Sequence, residues 1–309
     1  QTEGIPPRIY GIWLNQAWHV IDEFEKNSVG LTKLIHEMTI EPPYSKKENN
    51  TYMRANNWEA WIKYYQLSSL SSARGFKTNR RNFTSYLSNV MLICKGLIHF
   101  YSGMRDDEVL SLNFHCLTLD KINNRTRARI IGNTTKYIGN KKQAKWVTTS
   151  EIEKVVKVLQ AIVKPISNLI NVSLEPQISK GDIPCPLFLS TNFLISSTFC
   201  KKYKSGKVKV WNGNASKLSE CKLINKEHLR ITEGDIKYLE QFEPERDWRQ
   251  SKYSVGKIWH LKTHQFRRSL AVYSAQSGLV SIGSLQSQLK HLCQEITFYY
   301  GNGAERAGR

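Results

Sequence analysis

The stretch that decides the fold is FTSYLSNVMLICKGLIHFYSG, residues 83–103. Its apolar residues surround the helical wheel instead of occupying one stripe, which predicts a helix buried on almost every side. Gly103 is placed to end this helix, because glycine most readily adopts the left-handed conformation of a helix C-cap. A helix of this kind needs other helices or a sheet to cover it.

The segment after this helix predicts a small antiparallel sheet. A short helix in RDDEVLSL precedes three candidate strands, FHCLTLD (114–120), RARIIG (127–132) and AKWVTT (144–149). The last two are joined by the polar loop NTTKYIGNKKQ, which is typical of a connection between paired strands.

The regions on either side are predicted to be mainly helical. Residues 1–67 predict short amphipathic helices with aromatic anchors, and SSLSSARGFKTNRRNF (68–83) is predicted to be a basic linker or loop. Ser150 and Glu153 have capping-box spacing and predict a helix running toward Pro165. Helices are also expected in ITEGDIKYLEQF, THQFRRSLAVYSAQSG and SLQSQLKHL. The predicted fold class is therefore mainly α with a small antiparallel β-sheet (α+β).

The net charge of the chain says more about its function than its hydrophobicity does. The 309 residues contain 45 Lys and Arg against 26 Asp and Glu, a formal net charge of +19. Such an excess favours a polyanionic partner, and a basic surface that only maintains solubility is the alternative. The longest apolar stretch, VMLICKGLIHFY, is interrupted by Lys95 and is too short to span a membrane.

The cysteines indicate the redox compartment of the protein, and the first residue indicates whether the chain is a fragment. The six cysteines are Cys94, Cys116, Cys185, Cys200, Cys221 and Cys293. None has C-x-x-C spacing, so isolated thiols in a reducing cytosol fit better than a zinc site or a disulfide framework. Gln1 is not an initiator methionine, so we expect a fragment or a processed form.

Several polar motifs are candidates for chemistry, although each has an ordinary structural alternative. Arg105 precedes Glu108 by three residues at the start of a short helix, where a surface ion pair would look the same. His264 and Arg267 share one helix face at i and i+3, and Arg268 competes with Arg267 as an anion ligand. Lys136 lies in the polar loop, and a solvated loop lysine is its alternative.

Taken together and in order, these motifs resemble those of the tyrosine recombinases, the phage integrase family. The family pattern is T-G-L/M-R-x-x-E, a strand-loop lysine, H-x-x-R, L-G-H and a final T-x-x-Y. The corresponding stretches here are SGMRDDE, NTTKY, HQFR, LKH and TFYY. The resemblance covers roughly residues 83–301, and five motifs in order are far more specific than any one alone.

The resemblance implies a site and a domain organisation. The implied catalytic residues are Arg105, Lys136, His264, Arg267, His291 and Tyr300, with Glu108 supporting Arg105. The nine-residue gap after His291 selects Tyr300 over Tyr299 as the nucleophile. Residues 83–309 would form the catalytic domain, with an insertion around 195–250, and residues 1–82 a helical N-terminal extension and basic linker.

The resemblance also implies partners. Double-stranded DNA is the expected partner, no metal, ATP or other cofactor is expected, and a homotetramer would assemble on DNA without any membrane association. Basic residues of the linker and of the patch 201–230 would contact phosphates, namely Arg74, Lys77, Arg80, Arg81, Lys201, Lys202, Lys204, Lys207 and Lys209. We expect a bacterial mobile-element integrase in the cytoplasm, associated with the nucleoid.

Three departures from the family pattern and three rival functions stay open at this point. The separation between Lys136 and His264 is long, which is why an insertion is expected between them. Lys290 stands where the family usually has glycine, and only nine residues follow Tyr300. A type IB topoisomerase shares the chemistry, although His264 favours a recombinase. The other rivals are a DNA-binding protein without catalysis and, least favoured, a metal-dependent nuclease.

Overall fold

The computed structural model describes residues 2–40, 57–122, 125–134, 142–175, 184–196, 200 and 218–290. Its helices are α1 (Pro7–Lys26), α2 (Ser28–Ile40), α3 (Asn57–Tyr64), α4 (Ser68–Ala73), α5 (Arg80–Ser102), α6 (Asp106–Leu110), α7 (Ile152–Ile170), α8 (Glu233–Phe242), α9 (Thr263–Gln276) and α10 (Ile282–Leu289). Short 3-10 helices lie at Thr191–Leu194, Leu218–Glu220, Lys226–Leu229 and Ser251–Tyr253. The strands β1 (Leu117–Ile122), β2 (Arg125–Thr134) and β3 (Lys142–Thr148) form one antiparallel sheet in that order. The predicted fold class, mainly α with a small antiparallel sheet, is confirmed.

Helix α5 is the central element, as its all-round apolar sequence predicted. The side chain of Asn79 caps its first turn by accepting a hydrogen bond from the amide of Asn82 at 2.8 Å. Gly103 ends it in the left-handed conformation, with φ of 65°. Helices α1, α7 and α9 pack around α5, so the first helix and the beginning of α9, far apart in sequence, contribute to one core.

Aromatic packing joins α1, α5 and α9. A Cβ atom at Gly96 would lie 2.6 Å from the Trp13 ring, so α1 approaches α5 more closely than a larger residue would permit. The Trp13 ring also packs on Phe266 of α9, with centroids 4.6 Å apart. On the same side, Tyr10 stacks on Phe100 at 4.2 Å. These contacts fix the beginning of α9, which carries His264 and Arg267.

The N-terminal segment is tied to α8 and α9 by polar contacts. The Ile5 amide donates to the Ser269 hydroxyl at 2.8 Å, and the Tyr273 hydroxyl donates to the Ile5 carbonyl. Arg8 pairs with Asp235 at 2.6 Å, and Asp235 caps the first turn of α8. Described residues on both sides of position 82 therefore share one apolar core. The domain boundaries deduced from the sequence stay a prediction.

The sheet is anchored by β2 and covered at its β3 edge by α10. Ile130 of β2 lies opposite Trp146 of β3, and both side chains are fully buried. Gln288 of α10 accepts a hydrogen bond from the Val147 amide at 3.1 Å and donates to the Val147 carbonyl at 2.9 Å. The same Gln288 amide donates to the Ser102 carbonyl at the end of α5, so one side chain joins the sheet, α10 and α5.

The prediction that residues 68–83 form a linker or loop is wrong over much of its length. Residues Ser68–Ala73 form α4, and α5 already begins at Arg80. Phe76, between the two helices, is fully buried against Phe83 and Tyr86, and its carbonyl accepts a hydrogen bond from the Trp58 indole at 2.9 Å. Widely spaced apolar anchors in a Ser-rich segment fix this stretch, and they produce no helical period.

The predicted capping box before α7 is also wrong. The helix begins at Ile152 after Glu151, which makes no side-chain capping bond, and Ser150 lies outside the helix. Pro165 lies within α7 and does not end it. A proline in a helix removes one intrahelical hydrogen bond. Here burial of Pro165 and its apolar neighbours Ile166 and Ile170 offsets that loss.

Two further predictions concern membranes and cysteines. No helix in the part of the chain that the structure describes is long and apolar enough to cross a membrane. The five cysteines in that part are Cys94, Cys116, Cys185, Cys200 and Cys221, and all are free thiols. Burial raises the pKa of the Cys185 and Cys221 thiols to about 11, which keeps them protonated at neutral pH.

Candidate functional site

Arg105 lies where α5 has ended and α6 begins, and Glu108 holds it in place. The Arg105 guanidinium pairs with the Glu108 carboxylate at 2.9 Å, and the Arg105 amide donates to the same carboxylate at 2.7 Å. Glu108 is nearly fully buried, and its Oε1 also accepts a hydrogen bond from the Thr134 hydroxyl at 2.8 Å. The predicted pairing of Arg105 with Glu108 is present. It also links Arg105 to the last residue of β2.

A buried charged cluster fixes the residues on either side of Arg105. The Lys95 ammonium, fully buried in α5, lies 2.6 Å from the Asp106 carboxylate. His99, one turn further along α5, has Nε2 3.3 Å from the same carboxylate and Nδ1 2.9 Å from the Met104 carbonyl. Burial, the largest influence, would raise the pKa of Asp106, but bonds from His99 and Lys95 outweigh it and hold that pKa well below its usual range.

Gly103 lets the end of α5 approach α9 and α10. A Cβ atom there would lie 2.8 Å from Leu270 of α9 and 2.9 Å from Leu289 of α10, so a larger residue would have to displace both leucine side chains as well as adopt a positive φ. The Gly103 carbonyl accepts a hydrogen bond from Arg267 Nη1 at 2.5 Å, and the Leu289 carbonyl accepts one from Arg267 Nη2. The buried guanidinium of Arg267 therefore joins the turn before Arg105 to the C-terminal end of α10.

Arg268, the alternative anion ligand in the sequence, lies on a neighbouring face of α9 and has different partners. Its guanidinium pairs with the Glu243 carboxylate at 3.0 Å, and both side chains are almost completely buried. Glu243 also pairs with Arg246 at 3.1 Å. The geometry therefore favours Arg267 over Arg268 as the arginine of the candidate site.

The electrostatic surroundings of His264 include arginines from two of the sequence motifs, SGMRDDE and HQFR. Although part of its side chain is exposed, desolvation by the surrounding protein is the largest cause that lowers its pKa. The positive charges of Arg267, Arg105 and then His99 lower it further. Arg105 is about 160 residues away in sequence, so the fold brings a positive charge from the α5–α6 turn into electrostatic range of α9. Positive groups gathered in this way favour an anion.

Lys290, the residue that replaces the family glycine, ends α10 in the left-handed conformation, with φ of 51° and ψ of 44°. The turn that glycine would form is therefore retained. Its half-buried ammonium borders a groove of about 680 Å³ between α10 and the ends of β2 and β3. The groove is lined by Thr134, Lys142, Gln143, Ala144, Gly283, Gln286, Ser287 and Lys290.

The other catalytic residues implied by the resemblance lie outside the described residues, namely Lys136, His291 and Tyr300. The described chain reaches within two residues of Lys136 at Thr134, and it extends to Lys290, immediately before His291. The basic patch residues Lys201, Lys202, Lys204, Lys207 and Lys209 also lie outside it. The roles of all these residues stay predictions.

The four basic residues of the former linker segment differ in their surroundings. Arg74 pairs with Glu23 at 2.8 Å, and the Arg80 guanidinium lies 4.8 Å from the Trp61 ring centroid. Lys77 and Arg81 are exposed. Contact with DNA is therefore easiest to accommodate at Lys77 and Arg81, and it stays a prediction for all four.

Sequence reasoning missed Lys95, His99, Asp106 and Thr134. The spacing of Lys95 and His99, i and i+4 within an otherwise apolar helix, was the available signal, because buried charges need partners. No group of three or more His, Cys, Asp or Glu side chains able to hold a metal ion occurs in the described ranges.

Comparison with known proteins gives limited information. The sequence matches no family model and no curated protein. A solved structure that it resembles is the XerH site-specific recombinase bound to palindromic difH substrate in a post-cleavage complex, with 18% identity and a TM-score of 0.30. The match covers 70% of this chain and 42% of that one. The pre-cleavage XerH complex with difH gives 16% identity, 70% and 43% coverage and a TM-score of 0.32. The chain thus matches less than half the length of these recombinases, and at such TM-scores the likeness defines neither family nor activity.

Proposed function

We propose that this protein is a tyrosine-type site-specific DNA recombinase, which breaks and rejoins DNA strands through a 3′-phosphotyrosyl intermediate. The observation that carries the proposal is the convergence of Arg105, His264 and Arg267. The Arg267 guanidinium donates a hydrogen bond to the carbonyl of Gly103, two residues before Arg105, and His264 lies one turn before Arg267 on the same helix. These residues come from two sequence motifs of the family pattern, SGMRDDE and HQFR, that are far apart in the chain. Convergence of two such motifs at one place is not required by the fold alone.

The chemistry suits these residue types. Attack on a phosphodiester builds negative charge on the phosphoryl oxygens, and guanidinium groups donate forked hydrogen bonds that match those oxygens. In a partly enclosed site such donors stabilise the transition state, and one of them is worth about 3–4 kcal/mol. Arg105 is oriented by Glu108 and Arg267 by two carbonyl oxygens, so both are preorganised for this role.

The proposed reaction is a balanced transesterification. The Tyr300 hydroxyl gives its proton to the imidazole of His264 or His291 and its oxygen bonds to phosphorus, while the bond from phosphorus to the 5′ oxygen breaks. Lys136 supplies a proton to that oxygen, giving a 3′-phosphotyrosine and a free 5′-hydroxyl. Because the phosphodiester energy is retained in the covalent link, reversal rejoins a strand without ATP.

The wider proposal concerns the setting of this reaction. The substrate would be double-stranded DNA, contacted by the basic surface of a chain whose formal net charge is +19. The active assembly would be a homotetramer on two duplexes, and the protein would serve integration of a bacterial mobile element at the nucleoid.

The test is covalent capture of DNA. Duplexes of randomised sequence, nicked so that cleavage becomes irreversible, would be incubated with the parent chain, Tyr300→Phe and Tyr299→Phe. We expect the parent and Tyr299→Phe to form an SDS-resistant adduct and Tyr300→Phe to form none, although it binds DNA with nearly unchanged affinity. EDTA should leave adduct formation unchanged.

Each rival has its own outcome in this experiment. DNA binding without any adduct would identify a catalytically inactive DNA-binding protein. Relaxation of plasmids regardless of their sequence would favour a type IB topoisomerase. Loss of the adduct in Tyr299→Phe alone would move the nucleophile to Tyr299.

A further inference from the structure

Lys290 stands in a backbone conformation that favours glycine. A non-glycine residue with positive φ is uncommon, and glycine is the usual choice after the last turn of a helix. Lys290 nevertheless adopts φ of 51° there. Residues held in such conformations concentrate at functional sites, which points to a functional role for the side chain of Lys290.

The ammonium of Lys290 is held in a defined position. Its Nζ donates to the Lys145 carbonyl at 2.6 Å and to the Ser287 carbonyl at 2.7 Å, and it lies 5.3 Å from the Trp146 ring centroid. An ammonium has three N–H donors, and these two carbonyls are the acceptors that the described residues supply. One N–H is thus left for an acceptor in the groove.

Hydrogen bonds link residues beside the groove to both arginines of the candidate site. Thr134, on the groove wall, donates to Glu108, which in turn holds Arg105. The Leu289 carbonyl, directly before Lys290, accepts a hydrogen bond from Arg267. The lining residues include Lys142 and Lys290, and none of them is acidic. A groove whose described lining carries two lysines and no carboxylate, and whose neighbouring residues hold two oriented arginines, suits an extended anion.

We infer that this groove binds a backbone phosphate of DNA and that Lys290 is its ligand, beside the phosphate held by Arg105 and Arg267. The inference rests on the proposed function and deepens it, because it adds a phosphate-contacting residue at a position where the family pattern has glycine. The pKa of Lys290 is consistent with it. Burial, the largest influence, lowers that pKa, Glu108 raises it and Arg267 lowers it further, so a bound phosphate would stabilise the charged form.

The test compares Lys290→Gly with Lys157→Ala. Lys157 lies on the exposed face of α7 and pairs with Glu153, so both variants lose one positive charge, but only one loses it in the groove. Affinity for a fluorescent mixed-sequence duplex would be measured at several salt concentrations. We expect Lys290→Gly to bind roughly tenfold more weakly than Lys157→Ala. Its slope of log affinity against log salt should fall by about one.

Folding does not confound this comparison. Lys290→Gly loses the two hydrogen bonds of Nζ, but glycine relieves the positive φ, so this variant should melt close to the parent chain. Equal affinities and equal salt slopes for the two variants would overturn the inference. Stabilisation by inorganic phosphate that depends on Lys290, with unchanged DNA affinity, would also overturn it and indicate a site for a free anion.

The result is separable from that of the proposed function. If the parent binds DNA but forms no covalent adduct, the recombinase proposal fails while the Lys290 comparison still gives an answer. If the adduct forms and the two lysine variants bind alike, the recombinase proposal stands and Lys290 has no part in phosphate binding.

Discussion

The two sides of α9 use adjacent arginines in opposite ways. On one side, Arg267 donates to main-chain carbonyls and lies in electrostatic range of His264 and Lys290. On the other side, Arg268 pairs with the Glu243 carboxylate, and α8 there is rich in further ion pairs, such as those of Arg249 with Glu233 and Glu240. The side of Arg267 therefore has an excess of positive groups, which we call the positive side. On the side of Arg268, the balanced side, the positive groups are paired with carboxylates.

Burial alone does not distinguish these two arginines. Arg267 and Arg268 are equally buried, at 1% exposure each, and they are consecutive in sequence. What separates them is the kind of acceptor. A carboxylate neutralises a guanidinium, whereas a carbonyl orients it and leaves its formal charge able to attract a phosphate.

The largest effect is expected on the balanced side. Arg268→Met leaves the largely buried Glu243 with one cation, Arg246, so the loss of unfolding free energy should be about 3 kcal/mol, the lower end of the cost of breaking a buried pair. Urea denaturation would measure this loss. The control is Arg249→Met, which removes an exposed arginine of the same region and should change stability far less. Equal losses in the two variants would show that the Arg268 pair is not a structural anchor.

The second-largest effect is expected on the positive side, in the rate of covalent adduct formation. Arg267→Lys keeps one charge but loses the forked donor, so covalent adduct formation should slow by roughly 100-fold. The initial rate at saturating DNA would be compared with that of Arg268→Lys, which changes the same residue type on the same helix but retains its partner Glu243. If Arg268→Lys were the slower enzyme, the assignment of the two sides would be reversed.

The smallest effect is expected from the titration of His264. Its pKa lies below the ordinary value, so below about pH 6.5 the unfolded chain binds more protons and stability falls as pH decreases. A bound phosphate should raise this pKa, because it opposes the charges of Arg267 and Arg105. DNA affinity should therefore increase a few-fold as pH falls through this range.

Proton NMR of the His264 ring, with and without a DNA duplex, would measure the shift directly. His264→Gln identifies the resonance and should reduce the pH dependence of DNA affinity. An unchanged pKa in the presence of bound DNA would place the phosphate away from His264.

The sequence was sufficient for the central helix and the sheet, because both depend on local pattern. All-round apolarity and Gly103 predicted α5 and its end, and three short candidate strands, the last two joined by a polar loop, predicted β1 to β3. It could not show that Gly103 is also required by the approach of Leu270 and Leu289, because that requirement exists only between distant segments. The choice between Arg267 and Arg268 was open for the same reason.

The predictions that were wrong or missing have a related cause. Residues 68–83 are held by scattered buried side chains such as Phe76, and a local window sees only their polar neighbours. The Lys95–Asp106 pair joins residues within and just beyond α5, where the chain reverses direction at Gly103. The i, i+4 spacing of Lys95 and His99 indicates that these buried groups need a partner, but which residue supplies it, Asp106, depends on that turn.

The attachment of the N-terminal segment to α9 has a consequence for synthesis of the chain. Ile5 bonds to Ser269, 264 residues later, and Trp13 packs on Phe266. At roughly 5–20 residues per second, a ribosome needs tens of seconds between making these partners. During that interval the apolar face of α1 has no α9 to cover it. We therefore expect nascent chains to depend on chaperones until residue 276 has left the exit tunnel.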